Sequence, residues 1–138
     1  MLTELETFHA DLLRLIAELE RLTEDASPRM DAIADVRLKL TRTSRRRSEF
    51  LEAVVYPHVL AATASTGSSE IVDLRKEGIE SRMSSTGHIS QWTLAHVEAD
   101  WPGYREASEK MRASMRKRIR REQDALYPAL RAIEQKNK

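Results

Sequence analysis

Two tyrosine–proline pairs, Tyr56-Pro57 and Tyr127-Pro128, constrain this chain more than any other feature. Each proline lies ten residues after an arginine, Arg47 in the first copy and Arg118 in the second. Four residues after the arginine the copies differ, with Leu51 in one and Glu122 in the other. The copies stand 71 positions apart in a chain of 138 residues. A repeat at half the chain length predicts two similar helical hairpins, about 1–64 and 69–134, packed as a single domain spanning 1–138.

Hydrophobic spacing fills in the elements. Leu2, Leu5, His9, Leu12, Ile16, Leu19 and Leu22 recur at three- and four-residue steps, which predicts a helix over Thr3–Thr23 with His9 inside its apolar stripe. Thr3 and Glu6 fit a capping box. Ser27-Pro28 opens a second helix, Pro28 to Ala64, whose stripe is Ile33, Val36, Leu40, Thr43, Arg47, Leu51 and Val54. Pro57 predicts a kink or a loosened stretch within it. Ser65 to Ser69 reads as a linker. A third helix from Glu70 follows the stripe Ile71, Leu74, Gly78, Arg82, Ser85, Ile89, Trp92 and His96. Gly78 and Gly87 weaken it, and Gly87 is a candidate break. A fourth runs from Pro102 to Glu134 with Tyr104, Ala107, Met111, Met115, Arg118, Glu122, Leu126, Ala129 and Ile133 inward, and Gln135 to Lys138 reads as a frayed tail. Four helices with short connections imply an all-α, up-down-up-down four-helix bundle.

Composition narrows the function classes. The net charge is +1, from 23 basic and 22 acidic residues, which does not favour nucleic acid or an acidic membrane as a partner. The run from Arg116 to Arg121 reads as a solvated helix face, because Glu109, Glu122 and Asp124 flank it. There is no cysteine, hence no disulfide or thiolate metal site. No apolar stretch approaches a membrane span or a signal peptide, so a cytoplasmic location is expected. Trp92 and Trp101 are expected to close one end of the bundle. An exposed Trp101 would instead mark a dimer surface, so monomer and homodimer both stay open.

Charge on the core stripes is the unusual observation: His9, Arg47, and Arg118 with Glu122. Buried charges are costly unless paired. Mutual pairing places Glu122 as a bidentate acceptor from Arg47 or Arg118, with His9 at the edge. In the alternative register the arginines snorkel to water and His9 is an ordinary core histidine.

On these residues the chain resembles the hemerythrin-like (HHE) family of four-helix bundles. That family carries a histidine on helix 1, His-x-x-x-Glu on helices 2 and 4 shortly before Leu-Tyr/Phe-Pro, and a histidine on helix 3. Together these hold two irons. Phe8-His9 matches the first ligand. Arg47-x-x-x-Leu51, followed by Val55-Tyr56-Pro57, stands at the second motif. Gly78 stands where the third histidine is expected, and Arg118-x-x-x-Glu122, followed by Leu126-Tyr127-Pro128, stands at the fourth. Of six ligand positions only His9 and Glu122 keep a metal-binding residue. Arginine is always protonated and offers no lone pair. The resemblance therefore implies a degenerate metal site, with no cofactor expected and iron as the alternative. A rearranged site using Glu49, Glu52, His88 or His96 has no tight ligand pair on a core face, and His58, after Pro57, is expected to be solvated.

Two arginines against one glutamate leave a surplus positive charge. Gly78 removes a side chain opposite them, so a small cavity is expected. The leading expectation is a non-catalytic binding or regulatory module whose partner is a small anionic ligand or a protein. The alternative is a residual iron-, O2- or NO-binding protein. No nucleophile with an adjacent base, phosphate loop or acid–base carboxylate pair supports an enzyme.

Overall fold

The computed structural model describes residues 1–64 and 67–136; of the expected linker and tail, Ser65, Thr66, Asn137 and Lys138 lie outside them. The described residues are all-helical, with no strand among them. Helix α1 spans Leu2–Thr23 and α2 spans Met30–Phe50. A π-helical turn, Leu51–Val55, joins α2 without a break to α3, Tyr56–Ala62. Then come α4, Ser69–Gln91, the short α5, Leu94–Ala99, and α6, Trp101–Lys136. No helix among the described residues is long and apolar enough to cross a membrane.

Several local expectations are corrected. Thr3 lies inside α1, which starts one residue earlier and has no side-chain cap, so the capping box does not form. Arg29, not Ser27, stands at the start of α2, and Pro28 precedes the helix. The third helix does not break at Gly87. It ends at Gln91, and the chain then inserts α5, which the spacing of apolar residues does not reveal. The Asp100 carboxylate accepts from the Gly103 N–H at 3.0 Å and caps α6, as a short acid at a helix start does well. Far from fraying at Gln135, α6 continues to Lys136.

The first proline acts through the backbone. Pro57 has no N–H, and its ring would crowd the carbonyl one turn before it. The chain widens there to a π turn, in which the Tyr56 N–H reaches back to the Leu51 carbonyl. The extra residue per turn rotates the faces of the residues beyond it. Val54, expected inside, faces out, and Val55 and Tyr56 are buried instead. Pro128 sits within α6 without interrupting it.

Helix α1 packs along α2 and α6, α4 packs along α6 and against α3, and α5 touches α2 and α6. Two apolar clusters result. One gathers Leu12, Leu15, Ile16, Ile33 and Val36 with Trp92, Trp101 and Tyr104. The other gathers Leu5, Leu51, Val55, Val59, Leu74 and Leu126. Both tryptophans are buried, as expected for a closed end, so Trp101 offers no dimer surface. Its indole N–H donates to the Asp25 carbonyl at 3.0 Å. Helix α4 is the exception to good burial: in 23 residues only Ile71 and Leu74 are buried. Ile89 of the expected stripe is exposed. In α6 the buried face passes through Ser108 and Arg112, while Ala107, Met111 and Met115 are only half-buried.

Candidate functional site

Between the two apolar clusters lies a polar layer. It takes His9 from α1, Arg47 from α2, and Arg118 and Glu122, one turn apart, from α6. Their relative exposures are 1%, 7%, 8% and 1%. None snorkels, so the register that buries all four is the one the fold adopts.

Glu122 is the hub. Its Oε1 lies 2.8 Å from His9 Nε2, and its Oε2 lies 2.7 Å from Arg118 Nε. Arg47 Nε stands 3.8 Å from Oε1. Burial pushes the Glu122 carboxyl up, but Arg47, the His9 hydrogen bond and Arg118 together outweigh it, and the group titrates below its ordinary value. An ionised carboxylate can only accept, so His9 Nε2 carries the donated proton. In the neutral ring Nδ1 is then the acceptor, and it meets the Tyr127 hydroxyl at 2.6 Å.

The expected bidentate fork does not form. Arg118 presents only Nε to Glu122. Its Nη1 donates to the Leu74 carbonyl at 2.9 Å and its Nη2 to the Tyr56 hydroxyl at 3.0 Å. Burial raises the pKa of Tyr56, with Arg118 opposing, so the phenol stays neutral beside the guanidinium. Thus both tyrosines of the Tyr-Pro repeat serve the layer, Tyr56 through Arg118 and Tyr127 through His9. The repeat marks these residues, but spacing alone does not reveal the roles of their hydroxyls. Phe8 and Phe50, with ring centroids 5.7 Å apart, bring α1 and α2 together beside the layer.

Gly78 does lie at the layer, with a purpose different from an open void. A Cβ there would come within 2.5 Å of Arg118 Nη2 and 3.2 Å of its Cζ. The space a side chain would fill is occupied by the guanidinium. Arg118 can turn toward Leu74 and Tyr56 only because position 78 has no side chain.

A cavity of about 440 Å³ opens beside this layer, between α2 and α4 and over one face of α6. Arg47, Leu51, Gly78, Arg118 and Glu122 line its inner end. Leu40, Met111, Met115 and Ile89 form apolar wall, and Arg45, Glu49 and Arg82 stand nearer the mouth. This explains why Met111 and Met115 are half-buried: they face the cavity. Arg47 Nε is buried with no hydrogen-bond partner, and its Nη2 makes only a 3.4 Å bond to Ser44 Oγ.

No family model, curated protein or solved structure matches this chain. The donor chemistry of the layer does not fit the two irons that the hemerythrin-like resemblance implies. His9 and Glu122 are spent on each other, and two guanidinium groups lie against the same carboxylate. Among the described residues no three histidine, aspartate or glutamate side chains gather as a metal group. Glu52 is engaged by Arg75 at 2.7 Å and Arg82 at 3.7 Å. Glu49 is exposed, and His58, expected to be solvated, is half-buried in the first turn of α3. His96 stacks on Trp92 at 4.0 Å, with Nδ1 2.8 Å from the Gln91 carbonyl. His88 faces Tyr104. Within the basic run, Arg116 pairs with Glu20 at 2.7 Å and Arg121 with Glu77 at 3.1 Å.

Proposed function

We propose that this chain is a hemerythrin-like four-helix bundle that has exchanged its di-iron centre for an arginine–glutamate layer and acts as a non-catalytic binding or regulatory module for an anionic ligand. The bundle reading is supported by the four long helical runs and by the polar layer at the height where the family holds metal. In that family cations neutralise the carboxylates and tie the helices together. Here Arg118 takes that part for Glu122, and Gly78 in place of a histidine makes the room for it. The exchange is complete on one side of the layer only. Arg47 keeps a buried, unpartnered Nε and a weak share of Glu122, and it lies on the wall of a cavity within the ordinary size range of small-molecule sites.

That buried guanidinium, whose Nε lacks a hydrogen bond and whose ion pair with Glu122 is long, beside a cavity is the observation that carries the reading. A cation out of water is stabilised by an anion that reaches it. No group around the cavity pairs a nucleophile with a base, so binding rather than catalysis is the better-supported use. The test has two parts, both on untagged protein. Metal analysis by mass spectrometry, with and without iron supplementation, is expected to find no stoichiometric metal. Thermal melts are expected to rise with inorganic phosphate in the wild-type chain more than in Arg47→Met, because a ligand that binds only the folded state stabilises it. About two irons per chain would overturn the reading and restore an iron-, O2- or NO-binding protein.

A further inference from the structure

The far end of the cavity holds a second group of unsatisfied donors. Arg37 Nη1 and His88 Nε2 are buried there without a hydrogen-bond partner, and both residues line the cavity. Arg37 is well fixed. Its Nη2 donates to the Trp92 carbonyl, and its guanidinium lies over the Tyr104 ring, 5.6 Å from the centroid. His88 lies against the same ring at 6.2 Å. Among the described residues no carboxylate pairs with Arg37. This end therefore differs from the inner end, where Glu122 lies within ion-pair distance of Arg118 and, more loosely, of Arg47. Burial, and then the Arg37 charge, push the His88 pKa down, as expected for two donors that face each other with no anion between them.

Between the two ends, Leu40 on α2, Ile89 on α4, and Met111 and Met115 on α6 supply the apolar part of the wall, with the hydroxyls of Thr41, Ser44, Ser81 and Ser85 beside them. From Arg37 to Arg47 the cavity follows α2 for ten residues, about 15 Å at 1.5 Å per residue. A long cavity with an apolar, flexible strip of wall suits an unbranched aliphatic chain, and methionines adapt to such a chain readily. Two single donors at one end match the two oxygens of a carboxylate. A phosphate dianion would require more cationic partners than this end provides.

We propose that the cavity between α2 and α4 takes a medium-chain aliphatic carboxylate, with its head on Arg37 Nη1 and His88 Nε2 and its tail along Leu40, Met111 and Met115 toward Arg47. The proposal rests on the anion-binding reading above and names the ligand class and the end at which its charge sits. The His88 ring carries its proton on Nε2 to serve as donor, and Nδ1 is left free of that role.

The experiment is isothermal titration of the full chain with decanoate, with acetate as the head alone and 1-decanol as the tail alone. The His88 ring resonances are followed by NMR in the same titration. Decanoate is expected to saturate at one per chain, at least a hundredfold tighter than acetate and tenfold tighter than decanol, and to move the His88 resonances. Arg37→Met, which keeps the apolar stem, is expected to weaken decanoate at least tenfold. Equal binding by Arg37→Met and wild type, or an unmoved His88, would overturn the proposal. Should Arg37→Met not fold, the wild-type His88 shift decides alone. Decanoate lost in Arg47→Met but kept in Arg37→Met would overturn the proposal while leaving the anion-binding reading in place. Failure of both decanoate and inorganic phosphate to bind would remove both.

Discussion

Helices α1 and α4 occupy corresponding places in the two halves of the chain, yet α1 buries nine of its 22 residues and α4 two of its 23. At the height of the polar layer α1 presents His9, whose ring fills its place and bonds to α6 on both edges, through Glu122 and Tyr127. At the same height α4 presents Gly78, and the contact is made from the other side, by Arg118 reaching across to the Leu74 carbonyl. A helix that supplies its own buried side chain is drawn in along its length. A helix held by Ile71, Leu74, one borrowed guanidinium and partly exposed ion pairs to Glu52 and Arg121 is fixed in its first half, and its later turns stand off. The cavity is that stand-off. Val72, Ile79, Met83 and Ile89 of α4 are correspondingly exposed.

The largest effect expected is from breaking the hub that both sides share. Glu122→Gln leaves Arg118 and Arg47 buried without a counter-charge and should destabilise the fold by ~3–5 kcal/mol in urea melts. An unchanged melting curve would show that the layer is not energetically coupled. The same carboxyl sets an acid response. Its folded pKa lies below its ordinary 4.5, so the unfolded chain binds the proton first. The stability it contributes is complete above that value and is lost as pH falls toward the folded pKa. Wild type should therefore lose more stability than Glu122→Gln over that acid window.

Smaller changes separate the two helices. Gly78→Ala places a Cβ against Arg118, which Glu122, Leu74 and Tyr56 hold in place, and should cost ~1–3 kcal/mol. Its effect on amide exchange should concentrate in α4. Next, Tyr127→Phe removes the hydroxyl on the His9 side and should cost ~1 kcal/mol. Tyr56→Phe removes the one on the Arg118 side and should cost ~1.5 kcal/mol or more, since a charged partner is left short of an acceptor. Chemical denaturation of the two variants side by side checks that order. The smallest change has the opposite sign. Gly87 lies in α4, and a Cβ added there would meet nothing within 4 Å, so Gly87→Ala should stabilise by ~0.5–1 kcal/mol. Even in the wild type, amides of 79–91 should exchange faster than those of α1, because few buried apolar contacts hold that stretch.

The parts legible in the sequence are those that depend on angular position around a helix. His9, Arg47, Arg118 and Glu122 fall at apolar spacing, and the fold buries all four. The parts that are not legible depend on separation between helices. Spacing places Met111 and Met115 on an inward face. It does not say that the opposite wall stands back, leaving them beside a cavity. Nor does it say which guanidinium atom meets Glu122, because that depends on the acceptors Leu74 and Tyr56 on neighbouring helices. The π turn marks another limit. Pro57 and Pro128 share the Tyr-Pro context, but only the first is preceded by a widened turn, so the local residues do not settle the choice. Helix α5 leaves no periodic signal because its six residues bury only Val97.

The Gly78–Arg118 contact also constrains how this chain can change. A side chain at position 78 meets the guanidinium at once, so a larger residue there displaces Arg118 from its partners unless position 118 has been shortened first. Shortening position 118 first leaves Glu122 with less counter-charge and takes the Arg118 donor from the Leu74 carbonyl and the Tyr56 hydroxyl, but it causes no collision. The two positions are thus coupled: from the present state, a path toward a side chain at 78 leads through a weaker protein, whichever of the two is changed first.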